Sequence, residues 1–296
     1  MTDRGPTSAD RSPFLIDVAR KYERAAVYGV PADSPRRSNP QIEAAIQQTW
    51  EDEISLAAAC NRALYDGELG RLAGFVAVGE SLQLELATTC YCDFVGTNVS
   101  DVLGVHERGP AYLANPLGVS ATVLTSDGFL VYGRRSNRVA YHFGYLQTIG
   151  GMLEAPDRLE DGGYDVFGSC MREVVEELPI SESEPADLFV VGLVRDRELL
   201  QPELLFEVSL DLPAAALDAR FVKNLGEGEH ERLEMAFSQP QAIVPFINTH
   251  QPITPIAQAA MLLHGFHRWG AGWYEQAGLA LYGEVPPYET CVASSV

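Results

Sequence analysis

Arg172-Glu173-Val174-Val175-Glu176-Glu177-Leu178-Pro179-Ile180 is the stretch that decides how this 296-residue chain is read. At helical spacing, Glu173, Glu176 and Glu177 stand at i, i+3 and i+4 and share one face. Met171, Val174, Val175 and Leu178 follow the same spacing on the other side and can bury into a core. Three carboxylates on one turn repel one another and would weaken an isolated helix. A hard divalent cation reverses that sign, because Mg²⁺ takes carboxylate oxygens and keeps coordination positions for phosphate and water. An acidic cluster standing alone more often marks a solvated helix face. This one does not stand alone.

Upstream lies Gly150-Gly151-Met152-Leu153-Glu154. Together the two stretches resemble the Nudix hydrolase box, whose signature is Gly, five residues, Glu, seven residues, then Arg-Glu-apolar-any-Glu-Glu-any-Gly-apolar. Arg172 to Ile180 matches every defined position but one: Pro179 replaces the glycine, and it too can end the helix by disfavouring helical geometry at Leu178. About seven residues more than the signature allows separate Gly151 from Arg172, and an ungapped count back from Arg172 puts Tyr164 at the first glutamate's place.

Working outward, the net charge of −20 argues against nucleic acid or an anionic membrane as partner, since both are met by basic surface. A phosphate-rich substrate must then be met by local Arg or Lys and by bound metal. No apolar run reaches the roughly 18–20 residues of a membrane span, and Met1–Pro6 lacks the apolar core of a signal peptide, so the cytoplasm is the expected compartment. Five cysteines, sparsely placed, make no disulfide framework. Cys90 and Cys92 are expected to face one side of a strand and to pack in a core rather than bind metal.

Residues 1 to about 38 read as an irregular arm, in which Phe14 to Tyr28 holds enough apolar residues to dock. Asn39-Pro40 opens a helix expected to run to about Asp66. Residues 74–78 and 82–86 read as strands, the latter alternating with one wet face, and 93–98 as a turn. Residues 119–124 and 129–132 form a strand pair around Ser126-Asp127-Gly128, and 146–149 is a short strand leading to the box. After the acidic helix, 188–194 and 203–210 read as central strands, 213–221 as a helix, 227–231 as an acidic loop and 255–269 as a terminal helix. This order fits a mixed sheet between helices.

The resemblance extends to Asp93-Phe94-Val95-Gly96-Thr97-Asn98 and to Ala111 through Val119. These are similar to segments of the Nudix branch that acts on UDP-glucose and UDP-galactose. It implies a Nudix α/β/α sandwich with a mixed sheet, preceded by a smaller N-terminal α+β module. The expected divisions are 1–105 for the arm and module, 106–275 for the Nudix domain and 276–296 for a tail. It also implies Mg²⁺, or Mn²⁺, as cofactor and hydrolysis of a UDP-sugar to UMP and sugar 1-phosphate, with a small nucleotide-sugar as partner.

Metal ions neutralise a diphosphate and acidify bound water, so carboxylates in this pattern point to metal-assisted hydrolysis. Glu173 and Glu177 are the candidate metal ligands, with Glu176 as a third or water-mediated one and a carbonyl at Gly150 or Gly151 completing the shell. Arg172 is expected to orient a box carboxylate. Glu203, on a strand, and Glu229 and Glu231, in the acidic loop, are candidates for the general base or a further ligand, with ordinary surface carboxylates as the alternative. Glu154 or Glu160 is the fallback for the base. Arg134 and Arg135 are candidate phosphate contacts, or else a solvated strand end. Asn98 and Tyr112 are candidate substrate contacts through the resemblance. His264 and His267 are expected to be structural, and Gly226-Glu227-Gly228 is too weak to name a nucleotide loop. Two rivals stand beside this reading: a Nudix enzyme for another nucleoside diphosphate such as ADP-ribose, and a non-catalytic nucleotide-sensing module.

Overall fold

The computed structural model describes residues 11–60, 64–136, 142–224, 228–288 and 292–295; Met1–Pro6, Gly226 and Glu227 lie outside the described residues. Within the arm, Phe14, Ile16 and Val18 alternate in burial with their neighbours and form a strand, β1 (Phe14–Val18). Its hydrogen-bonding partner is the distant strand Pro185–Asp196, which no local pattern could announce. β2 (Val27–Pro31) follows, then α1 (Pro40–Ala59). Asn39 caps α1 by accepting from the backbone N–H groups of Gln41 and Ile42. β3 (Glu68–Val78) and β4 (Ser81–Cys90) make a hairpin, with Leu82, Leu84 and Leu86 buried as their alternation predicts. The expected turn at 93–98 is instead helical: α2 (Tyr91–Phe94) runs into a π-helical turn over Val95–Val99.

The remaining elements are β5 (Gly118–Leu124), β6 (Phe129–Arg135), β7 (Leu146–Gln147), β8 (Ile149–Met152), the box helix α3 (Val166–Glu177), β9 (Pro185–Asp196), β10 (Pro202–Leu210) and α4 (Ala214–Lys223). After them come β11 (His230–Phe237), α5 (Ile243–Thr249), α6 (Pro255–Trp269), α7 (Ala271–Tyr282) and β12 (Val292–Ser295). Eight strands form one mixed sheet in the order β1-β9-β10-β5-β6-β11, with β7 on β6 and β8 on β5. Among the described residues, only the β10–β5 pair in it is parallel. A second sheet runs β12-β3-β4-β2.

Alternation along β10 shows the layers. Leu204, Phe206 and Val208 share a core with Phe167, Cys170 and Val174 of α3 and Leu217 of α4. Leu205 belongs to the opposite core, with Leu262 and Leu263 of α6. Helices therefore cover both faces of the large sheet, the expected α/β/α sandwich. Burying each such leucine or phenylalanine stabilises by roughly 1.5–3 kcal/mol.

The small sheet and α1 make the α+β part, and Leu82, Leu84 and Leu86 enter the same core as α3. Backbone bonds stitch the two sheets: Gly70 N–H donates to Leu153 (2.8 Å), Leu117 N–H to Gly70 (2.8 Å) and Leu72 N–H to Asn115 (3.0 Å). The change of sheet near residue 105 is bridged in both directions, since β1 joins the large sheet and β12 the small one. No helix among the described residues is long and apolar enough to cross a membrane.

Candidate active site

α3 begins at Asp165, whose carboxylate accepts from Gly168 N–H at 2.9 Å, and ends where Leu178 turns extended before Pro179. Val166, Phe167, Cys170 and Val174 bury one face. The other face carries the three glutamates, which have different surroundings. Glu177 keeps little exposure, 9% for its side chain, and its Oε2 accepts from Gly150 N–H (3.1 Å) and lies 3.0 Å from His230 Nε2. Glu173 pairs with Arg172 at 2.9 Å and lies against Gly151, where a Cβ would come within 2.6 Å of its carboxylate. Only glycine leaves that space. Glu176 is the exposed member and pairs with Arg172 at 3.3 Å.

Glu173 and Glu177 are held away from their ordinary state. Burial pushes Glu173 up to about 7, against the lowering by Arg172 and with Glu177 and Glu176 adding to the rise. Burial also raises Glu177, opposed by its hydrogen bond with His230. Glu203, on β10, is pushed up to about 8 by burial although Ser120 Oγ donates to it at 2.6 Å. Its carboxylate sits over Gly118, where a Cβ would come within 1.7 Å. Glu154 and Asp196 are raised as well, in each case chiefly by burial. Carboxyls that outnumber the cations beside them are the donor set a hard divalent cation takes, so the residues fit such an ion. Glu173 and Glu177 now face Arg172 and His230 respectively; they would hold the ion, with Glu203 near enough to feel the charge of Glu173.

Two hollows adjoin here and share Glu229. One holds Glu173, Glu176, Glu177 and His230. The other is a cleft of about 540 Å³, with Arg135, Gly150, Gly151, Glu154 and Glu203 on its polar side and Tyr65, Tyr91 and Phe94 in its wall. Glu173, Glu176, Glu177, Gly151, Glu203 and Arg135 are thus brought to one region.

The other candidates are not. Arg134, next to Arg135 on β6, points to the opposite face of the sheet. All five of its donors are engaged there, by both oxygens of Glu234 and by the carbonyls of Gly144, His250 and Pro252. Arg134 is a strut rather than a phosphate contact. Asn98 is fully buried; it donates to Leu199 C=O (2.9 Å) and accepts from Asn115 N–H (3.1 Å), which leaves it to the fold. Tyr112 packs on the cluster around Ile42 and Ile46, away from the cleft. Glu231 falls at a register shift of β11, is exposed, and pairs with Arg232 at 2.6 Å. Its neighbours Glu229 and His230 line the hollow instead. His264 and His267 are structural as expected: His264 is buried between Glu207 (2.6 Å) and Ser238 (2.7 Å), and His267 bonds Val191 C=O (2.8 Å).

Sequence reasoning missed two residues. His230 reaches Glu177 because Gly133 leaves room beneath its ring, where a Cβ would stand 2.3 Å away. A glycine inside an otherwise apolar strand was the available signal. The second is Asp157. Counting forward from Gly151 instead of back from Arg172, the residue after five others is Asp157, not Tyr164. Asp157 is buried, accepts from Arg172 Nε (3.1 Å) and Nη2 (3.0 Å) and also from Ser169 Oγ (2.8 Å). Tyr164 is buried in the core shared by the two sheets. The first box acid is therefore present as aspartate, and the extra residues follow it. Asp157→Asn should lower stability by about 2–3 kcal/mol, short of a full buried-pair loss because Arg172 keeps Glu173 and Glu176. Thermal unfolding checks this, with Asp157→Glu expected to recover part of the loss.

With an acid at that spacing, the box resembles that of the Nudix hydrolases along its whole length, and the chain is similar in sequence to proteins that bear such names. It is 28% identical over 258 residues to the human "Uridine diphosphate glucose pyrophosphatase NUDT22", covering 77% of this chain and 83% of that protein. It is 26% identical over 233 residues to "Nudix hydrolase 9" of Arabidopsis thaliana, covering 68% of this chain and 70% of that one. Among solved structures, the MutT protein of Methanosarcina mazei Go1 aligns with 51% of this chain and 94% of its own at a TM-score of 0.35 and 15% identity. No family model matches the chain. The kinship over most of both lengths bears out the resemblance carried by Arg172 to Ile180.

Proposed function

We propose that the chain hydrolyses the diphosphate linkage of a UDP-sugar to UMP and a sugar 1-phosphate with the help of Mg²⁺. The observation that carries the chemistry is the placing of Glu173 and Glu177 against the Gly150–Gly151 strand, beside a cleft floored by Glu203. The name of the human relative supports the uridine and the sugar. Glu173 and Glu177 would hold a divalent cation, which would supply charge neutralisation for the diphosphate and a more acidic water.

The chain's own residues do the rest. Arg172, fixed by Asp157, holds Glu173 in place. His230 and Gly150 hold Glu177 from two sides. Arg135, which lines the cleft and bonds Gln147 Oε1 at 2.8 Å, is the cation placed to meet a phosphate oxygen. Glu203 takes the proton from the attacking water, its pKa pushed up to about 8 by burial and its carboxylate oriented by Ser120. Tyr65, Tyr91 and Phe94 offer apolar faces on which a base or sugar ring packs. Asp157, at the spacing of the first box acid, weighs against a non-catalytic sensor.

Comparing kcat/KM for UDP-glucose and ADP-glucose at fixed Mg²⁺ tests the substrate. Polar groups of the cleft that pair with uracil are left unpaired by adenine, at about 1–3 kcal/mol each. Two such groups give roughly a hundredfold preference for UDP-glucose or more. Equal efficiencies would remove the uridine assignment and leave the hydrolase.

A further inference from the structure

A second group of ligating side chains lies outside the carboxylate centre. β4 ends at Cys90 and α2 starts at Tyr91, so Cys90 and Cys92 flank a tyrosine that lines the cleft. Their sulfurs are 3.2 Å apart and both thiols are free. Opposite them, Asp66 Oδ1 accepts from Cys92 N–H (2.9 Å) and Gly67 C=O accepts from Tyr91 N–H (3.0 Å), which fixes the two backbones together. One carboxylate oxygen of Asp66 and the two sulfurs all lie within 4.8 Å of one another. Among the described residues, this is the one group of three or more His, Cys, Asp or Glu side chains gathered so closely. Cys90 and Cys92 are half-buried and Asp66 is exposed, so the trio has a core behind it and solvent in front.

We infer that Asp66, Cys90 and Cys92 form a binding site for a thiophilic divalent cation of the zinc class, separate from the carboxylate centre. Two thiolates select a soft or borderline ion over Mg²⁺, and one carboxylate with a water completes four-coordination. At a metal–sulfur distance of about 2.3 Å, a tetrahedral ion holds two sulfurs about 3.8 Å apart, so the pair opens by roughly half an ångström to admit it. On binding, both S–H bonds are replaced by metal–sulfur bonds and the two protons pass to water. The core packing expected of these cysteines does not account for sulfurs turned towards each other and a carboxylate. Ligation there ties the Tyr65–Asp66 segment to Tyr91, two parts of the cleft wall.

The test uses the full chain, reduced with a phosphine and freed of metal. Titration with Co²⁺ is expected to give one equivalent with a thiolate-to-cobalt charge-transfer band in the near ultraviolet, displaced by Zn²⁺. Cys90→Ser and Cys92→Ser lose the band, Asp66→Asn weakens binding by about tenfold or more, and Glu177→Gln keeps it. Without any substitution, Zn²⁺ protects Cys90 and Cys92 from alkylation while exposed Cys60 still reacts, as mapped by mass spectrometry. No band in the unsubstituted chain, a band that survives both serine substitutions, or alkylation of Cys90 and Cys92 at an unchanged rate in Zn²⁺ overturns the site.

Discussion

Glu177→Gln should lower kcat for UDP-glucose by roughly a thousandfold or more at saturating Mg²⁺ while the protein stays folded. Glutamine keeps the shape and leaves an oxygen to accept from Gly150 N–H and His230, the two groups that now hold the carboxylate. What it removes is the negative charge, which a hard cation requires and burial opposes. Because burial already raises the pKa of Glu177, the neutral amide costs the metal-free fold nothing and spares it a desolvated charge. The variant's melting temperature in EDTA is therefore expected to equal or exceed that of the unsubstituted chain, whereas the stabilisation gained on adding Mg²⁺ should shrink. Turnover near the original level would show that Glu177 is no ligand.

Glu203→Gln carries the second large effect, and it separates catalysis from stability. Loss of a general base lowers kcat by about 10²–10⁴-fold. Stability should move the other way. In the folded chain the carboxyl titrates near pH 8, against 4.5 ordinarily. Such a raised acid contributes its stability fully below its unfolded pKa and loses it as pH rises through the folded one. Metal-free protein should therefore lose stability between about pH 5 and 9, by roughly 1–3 kcal/mol from this group after screening. Glu203→Gln keeps the acceptor for Ser120 Oγ and has no charge to bury. Its melting temperature in EDTA should exceed that of the unsubstituted chain by several degrees at pH 8–9 and match it near pH 5, at roughly 2–4 °C per kcal/mol. Equal melting temperatures across that range would place the carboxylate in solvent-like surroundings.

The residues that resisted reading from sequence did so for identifiable reasons. The box helix was legible because one local period places apolar and acidic faces at once, and the Leu82, Leu84, Leu86 alternation declared β4 in the same way. β1 was not, because its worth lies in pairing with β9 across most of the chain. Arg134 and Arg135 look alike as candidates in sequence, although the period of two in a strand sends neighbours to opposite faces. Leu130 and Tyr132 share the α5–α6 core, and Arg134 follows them; Val131 faces α3, and Arg135 follows it into the cleft. Glu231 reads as a candidate beside Glu229 because the register shift in β11 is invisible in sequence. Asp157 was within reach: the spacing from Gly151 held, and only the direction of counting hid it. Asn98 looked like a substrate contact since a buried asparagine and a ligand-binding one are the same residue until its partners are known. Here they are Leu199 and Asn115.

The most direct measurement is the fate of UDP-glucose itself. The full chain is incubated with it in Mg²⁺ and, in parallel, in EDTA, and the products are separated and identified. Metal-assisted hydrolysis yields UMP and glucose 1-phosphate in equal amounts with Mg²⁺, none with EDTA, and recovers when Mg²⁺ is returned. Intact UDP-glucose after incubation of folded protein with Mg²⁺, or cleavage at the same rate in EDTA, would contradict it.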